Sequence, residues 1–209
     1  MMFKNRQAAG EKLIPQLEKY RNNHQAIILG LPRGGVVTAS VIAQELKLPL
    51  DLIVPRKIGA PGNPELAIGA ITEDGEGIFD ESLITAYQIS QKYIDQEVEK
   101  EKQEAKRRLK AYRAGRKPLD LKNKIAILVD DGVATGATMR AAIKSAKKKG
   151  ALKVVVAIPV IAAEALIILK KESNEVIYLD APAWFGAVGE FYEDFSQVED
   201  EEVVKRLQI

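Results

Sequence analysis

The chain has 209 residues, 46% hydrophobic and 29% charged, which suffices to bury a substantial core in one domain of ordinary size. Basic and acidic residues nearly cancel at a net charge of +2, so electrostatics give no reason to expect nucleic acid as a partner. The lack of cysteine excludes disulfides and thiolate metal sites. No apolar run approaches the roughly 20 residues of a membrane span, and no signal-peptide core begins the chain. The sequence therefore predicts a soluble, cytoplasmic protein with no membrane partner.

Short β-rich apolar runs alternate with amphipathic segments along the chain, a pattern typical of βα units around a parallel sheet. An N-terminal helix at about Lys4–Tyr20 should pack Leu13 and Leu17 against that sheet. Five strands are predicted at Ala26–Leu31, Leu50–Pro55, Lys124–Val129, Val154–Val160 and Glu175–Leu179. Further helices are predicted at Gly35–Leu46, Ala137–Lys149 and Ala162–Lys171.

Two segments interrupt this alternation. The first, Gly59–Glu76, is rich in glycine and proline and predicts a mobile loop followed by a hairpin, with strands at Ala67–Thr72 and Ile78–Phe79. The second, Gln88–Arg116, predicts a long helix with mixed charges and one apolar face. That face comprises Ile94, Val98, Ala105, Leu109 and Tyr112. A solvated surface helix is the simpler interpretation, and an RNA-binding helix is the alternative.

The segment 125–138, IAILVDDGVATGAT, combines a strand with a phosphate-binding pattern. An apolar strand ends in Asp130 and Asp131, and the loop that follows runs into a helix. Backbone N–H groups and threonine hydroxyls at a helix N-terminus complement a phosphate group, and Gly136 permits its close approach. Two adjacent carboxylates suit vicinal hydroxyls or a hydrated Mg²⁺. The pattern therefore predicts a sugar-phosphate site, with an ordinary acid-capped strand–turn–helix as the alternative.

This motif resembles the signature of the type I phosphoribosyltransferases: four apolar residues, two acids and a loop ending in Thr-Gly-x-Thr. Gly132 departs from it, since an apolar residue is commoner there. The resemblance implies one phosphoribosyltransferase domain over residues 1–209, with a core at about 24–180. The implied fold is α/β, a mainly parallel five-stranded sheet flanked by helices, with a flexible loop or hairpin. A small C-terminal hood at about 181–195, followed by a C-terminal helix, completes it.

The resemblance also implies roles for the motif residues. Asp130 and Asp131 would be the catalytic residues, holding the ribose hydroxyls of phosphoribosyl pyrophosphate and its Mg²⁺, directly or through water. The ribose 5-phosphate would bind to the loop and the first helical residues. That phosphate set is Ala134, Thr135, Gly136, Ala137 and Thr138.

A pyrophosphate site is implied by two further segments. In Gly30-Leu31-Pro32-Arg33-Gly34-Gly35, the paired glycines would bring backbone N–H groups to phosphate oxygens, and Arg33 would donate two hydrogen bonds. Sequence leaves open whether a peptide bond here is cis. Arg56 and Lys57 resemble a basic pair that the family places near pyrophosphate. A glycine-rich turn without ligand and two solvated cations are the alternatives. Gly59–Glu65 falls where the family carries a flexible lid.

The hood at 181–195 holds five aromatic residues, including the chain's single tryptophan. It resembles the base-binding hood of 6-oxopurine phosphoribosyltransferases. By that resemblance Trp184 or Phe185 would stack on a base, and Ala187 and Val188 would make backbone contacts. Anchoring of a small lobe on the sheet is the alternative. Ala134 weakens the 6-oxopurine comparison, because those enzymes place a carboxylate at that position whereas adenine-type members have alanine.

The leading functional hypothesis is an enzyme of nucleotide metabolism. It would transfer the ribosyl 5-phosphate of phosphoribosyl pyrophosphate to a purine or pyrimidine base, with Mg²⁺, and release pyrophosphate. The alternative is a non-catalytic regulator or sensor that binds phosphoribosyl pyrophosphate. A hydrolase or kinase is not favoured, because the chain has no P-loop and no G-x-S-x-G motif. The resemblance implies a homodimer or higher homo-oligomer, and His24 is expected to be a surface residue.

Overall fold

The computed structural model describes residues 1–75, 77–113 and 119–208. The strands are β1 (Ala26–Gly30), β2 (Leu50–Leu52), β3 (Arg56–Ala60), β4 (Asn63–Ile71), β5 (Gly77–Phe79), β6 (Ile125–Val129), β7 (Lys153–Val160) and β8 (Glu175–Asp180). The α-helices are α1 (Arg6–Leu17), α2 (Gly34–Leu46), α3 (Glu81–Ala86), α4 (Gln91–Arg113), α5 (Ala137–Lys148), α6 (Ala163–Glu172) and α7 (Asp200–Leu207). No helix in these ranges is both long and apolar enough to cross a membrane.

The main sheet has five parallel strands in the order β2-β1-β6-β7-β8, which confirms the predicted fold class. Alternate residues of its strands face two separate cores. One core lies under α1, α2 and α7, where Leu13 and Leu17 of α1 are fully buried as expected. The other lies under α5 and α6. Because helices cover both faces, the central strands are buried on both sides, and for this reason they are continuous apolar runs in the sequence.

The second sheet is antiparallel, in the order β3-β4-β5, and it has a strand hairpin where the sequence predicted a mobile loop at Gly59–Glu65. β3 and β4 form a hairpin whose closing pair is Ala60 and Asn63, with Gly62 in the left-handed region at φ +73°. A Cβ on Gly59 would lie 2.6 Å from Pro64 Cα. Gly59 therefore permits close strand approach here, so the glycine and proline that suggested a loop belong to a strand pair. The β4–β5 hairpin matches the prediction.

Two predicted boundaries also change, and the structure adds one short helix. The strand expected at Leu50–Pro55 ends at Leu52, and Arg56 begins β3 of the second sheet. The long helix begins at Gln91, after the short α3 that the sequence did not indicate. Asp80 caps α3 by accepting bonds from the N–H groups of Ser82 and Leu83. The predicted end of the long helix at Arg116 and the loop residue Glu76 lie outside the described residues.

The apolar face of α4 is largely as predicted. Ile94, Ala105 and Tyr112 are buried, and the remaining two positions are half-buried against the cores. Its charged side chains form short-range ion pairs such as Arg108 with Glu104 at 2.8 Å. These contacts fit a solvated surface helix.

Candidate functional site

The acid pair, Asp130 and Asp131, and the predicted phosphate loop, residues 132–136, lie at the carboxyl end of β6. The loop is anchored to the neighbouring strand, because the Val133 N–H donates to Val160 O at 3.0 Å and the Ala162 N–H donates to Val133 O at 2.9 Å. Gly136 precedes α5 at φ +83°, in the left-handed region that favours glycine. The N–H groups of the first turn of α5 have no intrahelical acceptor, and that of Ala137 makes only a long hydrogen bond of 3.5 Å to Thr135 Oγ1, so this turn can receive an anion.

The predicted pyrophosphate loop packs directly on the acid pair. A Cβ on Gly34 would lie 1.9 Å from Asp131 Oδ2, and one on Gly35 would lie 2.7 Å from Asp130 Oδ1. At Gly35 the added Cβ would also lie 2.8 Å from the backbone atoms Asp130 Cα and Val129 O, so this position requires glycine, whereas at Gly34 the Asp131 and Arg6 side chains would have to move. The peptide bond between Pro32 and Arg33 is cis. The structure thus brings together Gly34, Gly35, Asp130 and Asp131, four residues that the sequence assigned to one site from separate segments.

The two carboxylates differ in their surroundings. Asp130 Oδ1 accepts a hydrogen bond from the Asp131 N–H at 2.9 Å. Burial raises the pKa of Asp130 well above its ordinary value, the charge of Asp131 raises it further, and Arg6 opposes the shift. The Asp131 carboxylate is paired with Arg6, whose Nε lies 2.6 Å from Asp131 Oδ2. The Tyr192 hydroxyl donates to Asp131 O, and burial followed by the nearby Asp131 charge raises the pKa of Tyr192.

Arg6 is the residue at this site that the sequence analysis missed. It lies 125 positions from its acidic partner, at the first position of α1. No motif surrounds it, and a basic residue at the start of an amphipathic helix is ordinarily interpreted as solvated. Only the packing of α1 against α2 brings its side chain to the acid pair.

Two of the three predicted pyrophosphate cations, Arg33 and Arg56, pair with carboxylates. Arg33 lies 3.4 Å from Glu199 and 3.7 Å from Asp200, at the start of the C-terminal helix. Arg56 pairs with Glu101 of α4 at 2.6 Å. Arg56 and Lys57 do not end a strand of the main sheet as expected but begin β3 of the second sheet. The structure therefore keeps Arg33 on the predicted pyrophosphate loop and places Arg56 and Lys57 on the β3–β4 hairpin.

The hood packs on the phosphate loop through Gly132. A Cβ on this residue would lie 2.3 Å from Val188 Cγ1 and 3.2 Å from Val160 Cγ1. Val188 thus fills the space in which a side chain at 132 would lie, which explains the departure from the commoner apolar residue. The hood aromatics pack on one another, with ring centroids of Phe185 and Phe191 5.0 Å apart.

A groove of about 510 Å³ opens between the hood, the phosphate loop and the start of α6. Trp184, which is 92% exposed, and Phe185 line one wall. Ala134 and Thr135 of the loop line another, and Glu164 contributes a carboxylate from α6. An aromatic wall, apolar side chains and few polar groups are typical of a site for a small planar ligand. His24, in contrast, is exposed on the surface, as expected.

Comparison with known proteins agrees with this geometry. The phosphoribosyl transferase domain family matches residues 3–195. The chain therefore belongs to the phosphoribosyltransferase family, as the motif at 125–138 indicated.

Two relatives support that assignment over nearly the whole chain. A protein of Mycobacterium tuberculosis named "Putative phosphoribosyl transferase" is 40% identical over 206 residues, which cover 99% of this chain and 46% of that protein. The chain thus spans about half the length of the curated relatives it matches. The crystal structure of TT1426 from Thermus thermophilus is 41% identical, with a TM-score of 0.82 and coverage of 99% of this chain and 98% of that one.

A more distant structure shares the fold. The purine phosphoribosyltransferase from Pyrococcus horikoshii is 18% identical, with a TM-score of 0.51 over 95% of this chain and 97% of that one. At this identity the likeness concerns the fold alone and does not extend to the acceptor.

Proposed function

We propose that the chain transfers the ribosyl 5-phosphate group of phosphoribosyl pyrophosphate to a nitrogen atom of a heterocyclic base and releases pyrophosphate. The observation that carries the proposal is the packing of Gly34 and Gly35 against Asp130 and Asp131. This packing places a loop suited to pyrophosphate beside carboxylates suited to ribose hydroxyls. The open N-terminus of α5 follows the acids by a few residues, so the three subsites match three parts of one ligand.

Each part of the donor has partners of matching chemistry. The 5-phosphate accepts hydrogen bonds from the N–H groups and hydroxyls of the loop and helix residues 134–138. Asp130 and Asp131 accept hydrogen bonds from the ribose hydroxyls. The N–H groups at Gly34 and Gly35 face the pyrophosphate, where a side chain would block approach. Arg33 binds the same pyrophosphate by giving up its ion pairs with Glu199 and Asp200. This exchange costs little, because solvent-exposed ion pairs contribute little to stability.

The acid pair fits a Mg²⁺ ion that arrives with the donor. Mg²⁺ prefers oxygen ligands and is usually held by one or two carboxylates together with substrate phosphates. Among the described residues no group of three or more metal-ligating side chains is present, so a closed protein cage is not part of this site. Asp130 and Asp131 would hold the ion from one side, and when bound it would neutralise charge on the leaving pyrophosphate.

The transfer breaks the bond between C1 of the ribose and the pyrophosphate oxygen, which leaves with the electron pair. The acceptor nitrogen forms the new bond to C1 and loses its proton, which the leaving pyrophosphate or a solvent water takes up. The chain acts mainly by positioning and electrostatics, because the loop and acids hold the ribosyl group while the groove presents the acceptor. Trp184 and Phe185 supply stacking faces, Val188 fixes the hood on the loop, and Glu164 supplies the acceptor for an N–H group.

A calorimetric titration with phosphoribosyl pyrophosphate and Mg²⁺, followed by a panel of bases scored for pyrophosphate release, tests the proposal. Binding with release for one base is the expected result and identifies the acceptor. Asp131→Asn should weaken binding or turnover by about 10-fold or more, since hydrogen bonds to a charged group contribute about 1.5–3 kcal/mol. Absence of donor binding by the wild-type chain would overturn the proposal.

A sensor that binds the same donor without transferring it is the second candidate. Ala134 is compatible with a sensor, because that loop position carries no carboxylate to take the acceptor's proton, and it is equally compatible with an adenine-type transferase. Binding of the donor without pyrophosphate release for any base in the panel would support this alternative over the transferase. The predicted homo-oligomer stays a prediction, and gel filtration measures it.

A further inference from the structure

Arg6 connects the acid pair to two other parts of the molecule. Its Nε donates to Asp131 Oδ2 at 2.6 Å, and its Nη1 donates to Ser196 O at 2.7 Å. Its guanidinium carbon lies 3.8 Å from the ring centroid of Phe195. A Cβ on Gly34 would lie 2.7 Å from Arg6 Nε, so the guanidinium also borders the pyrophosphate loop. One side chain thus contacts the ribose acids, the pyrophosphate loop and the end of the hood.

The surroundings of Arg6 hold it in one orientation. The side chain is 11% exposed and that of Asp131 is 13% exposed. A planar guanidinium with two hydrogen bonds and a ring against its face has little freedom to rotate. The backbone is held too, since the Thr38 hydroxyl of α2 donates to Arg6 O at 3.4 Å. Such restraint is unlike the behaviour of a solvated surface arginine.

The charges explain why a cation is needed there. Asp130 and Asp131 are adjacent and largely removed from water, and two such carboxylates repel each other. Arg6 compensates the charge of Asp131 directly. Because Arg6 and Gly34 both lie against Oδ2, the other oxygen of Asp131 is the one left for a sugar hydroxyl.

We propose that Arg6 is a positioning residue of the donor site, which acts through Asp131 and fixes that carboxylate relative to the pyrophosphate loop and the hood. This inference rests on the proposed binding of phosphoribosyl pyrophosphate. The N-terminal helix is thereby part of the functional site and not only a cover on the sheet. Loss of Arg6 leaves Asp131 free to turn and its charge uncompensated, so the donor binds to a disordered carboxylate.

The test measures the dissociation constant of Mg²⁺–phosphoribosyl pyrophosphate by calorimetry for wild type, Arg6→Met, Arg6→Lys and Asp131→Asn. Arg6→Met should weaken binding by about 10- to 100-fold, as for loss of a charge-assisted pair. Arg6→Lys keeps the charge without the planar fork and should recover part of that loss. Lys12→Met is the matched control, because Lys12 is an exposed cation on the same helix, near the Phe3 ring and outside the site. It should bind as wild type does.

The double variant Arg6→Met/Asp131→Asn separates positioning from direct contact. If Arg6 acts through Asp131, the double variant binds as weakly as Asp131→Asn alone. Losses that multiply would overturn this inference, because Arg6 would then contact the ligand independently. Wild-type affinity in Arg6→Met would overturn it as well. Should Arg6→Met not fold, Arg6→Lys decides: a folded lysine variant with wild-type affinity overturns the inference, and weakened affinity supports it.

The failure of the proposed function has a different signature. A wild-type chain that binds no phosphoribosyl pyrophosphate removes both the function and the inference that rests on it. If the wild type, Lys12→Met and Arg6→Met all bind phosphoribosyl pyrophosphate with the same affinity, the inference about Arg6 fails and the proposed function stands.

Discussion

Replacement of Gly132 by alanine tests how the hood is held on the phosphate loop. The added Cβ would lie 2.3 Å from Val188 Cγ1, whereas two carbons in contact are about 3.5–4.0 Å apart. The loop or Val188 must therefore move by more than about 1 Å. Overpacking of this kind costs about 1–3 kcal/mol. In a chain of this size we expect Tm to fall by about 2–12 °C, since each kcal/mol shifts it by about 2–4 °C.

A second substitution should relieve the clash. Val188→Ala removes the two γ carbons that the new Cβ meets first, at 2.3 and 3.0 Å. Thermal unfolding followed by circular dichroism, for wild type, both single variants and the double variant, measures the coupling. We expect the Tm of Gly132→Ala/Val188→Ala to lie within about 2 °C of Val188→Ala alone.

A matched control uses a valine elsewhere. Val198 is buried in a different cluster, so Val198→Ala should add its own loss to that of Gly132→Ala. Strictly additive losses in the Gly132→Ala/Val188→Ala double variant would refute the packing explanation, because the strain would then lie in the loop itself. Full stability of Gly132→Ala would refute it too.

Three further outcomes are expected. Glu164→Gln should raise the KM for the acceptor base by about 10-fold or more, because a charged hydrogen-bonding group is lost, and it should leave the donor dissociation constant unchanged. Steady-state kinetics that show an unchanged KM for the base would contradict the role of Glu164 in the groove. Glu199→Gln should strengthen donor binding about 2-fold, within the range of an exposed ion pair, because it removes one of the two carboxylates that hold Arg33 and leaves Asp200. Calorimetry that shows weaker binding would contradict this. Burial alone would raise the pKa of Glu175, but hydrogen bonds led by that from Lys153 lower it to about 2. The resulting contribution to the free energy of unfolding, about 1–2 kcal/mol after allowance for solvent exposure, is present above pH 4.5 and is lost as the pH falls towards 2. The free energy of unfolding of Glu175→Gln should therefore fall less steeply with decreasing pH than that of the wild type. An equal slope for the two proteins would contradict this.

Sequence alone determined the sheet and the acid–phosphate loop. Strands covered on both faces must be apolar throughout, so β1, β6 and β7 are visible as continuous runs. The sequence motif consists of a strand, then Asp130 and Asp131, then a loop that contains threonine and glycine. These residues are adjacent in the chain, so the groups that they present to a ligand follow from local geometry. Parallel strands also present their carboxyl ends at one edge. The approach of Gly34 and Gly35 to the acids was therefore foreseeable in outline from the order of the elements.

Local composition gave a wrong prediction for the hairpin formed by β3 and β4, where a loop was expected. Glycine and proline are typical of loops, yet Gly59 lies opposite Pro64 across a strand pair because a larger residue would not fit there. The ion-pair partners of Arg33 and Arg56 could not be predicted from the sequence either. Arg33 pairs with Glu199 and Asp200 at the start of α7, and Arg56 pairs with Glu101 of α4. The positions of these carboxylates depend on how the apolar faces of α7 and α4 pack.

Only the tertiary structure decided which cation accompanies the acid pair. Arg6 and Asp131 are 125 residues apart, and the packing of α1 on α2 and the sheet sets their distance. The same holds for Val188, which occupies the space above Gly132. Periodicity and motifs report the order of groups along one strand or loop. Contacts between distant segments depend on the summed packing of whole helices, and no single segment of the sequence encodes that sum.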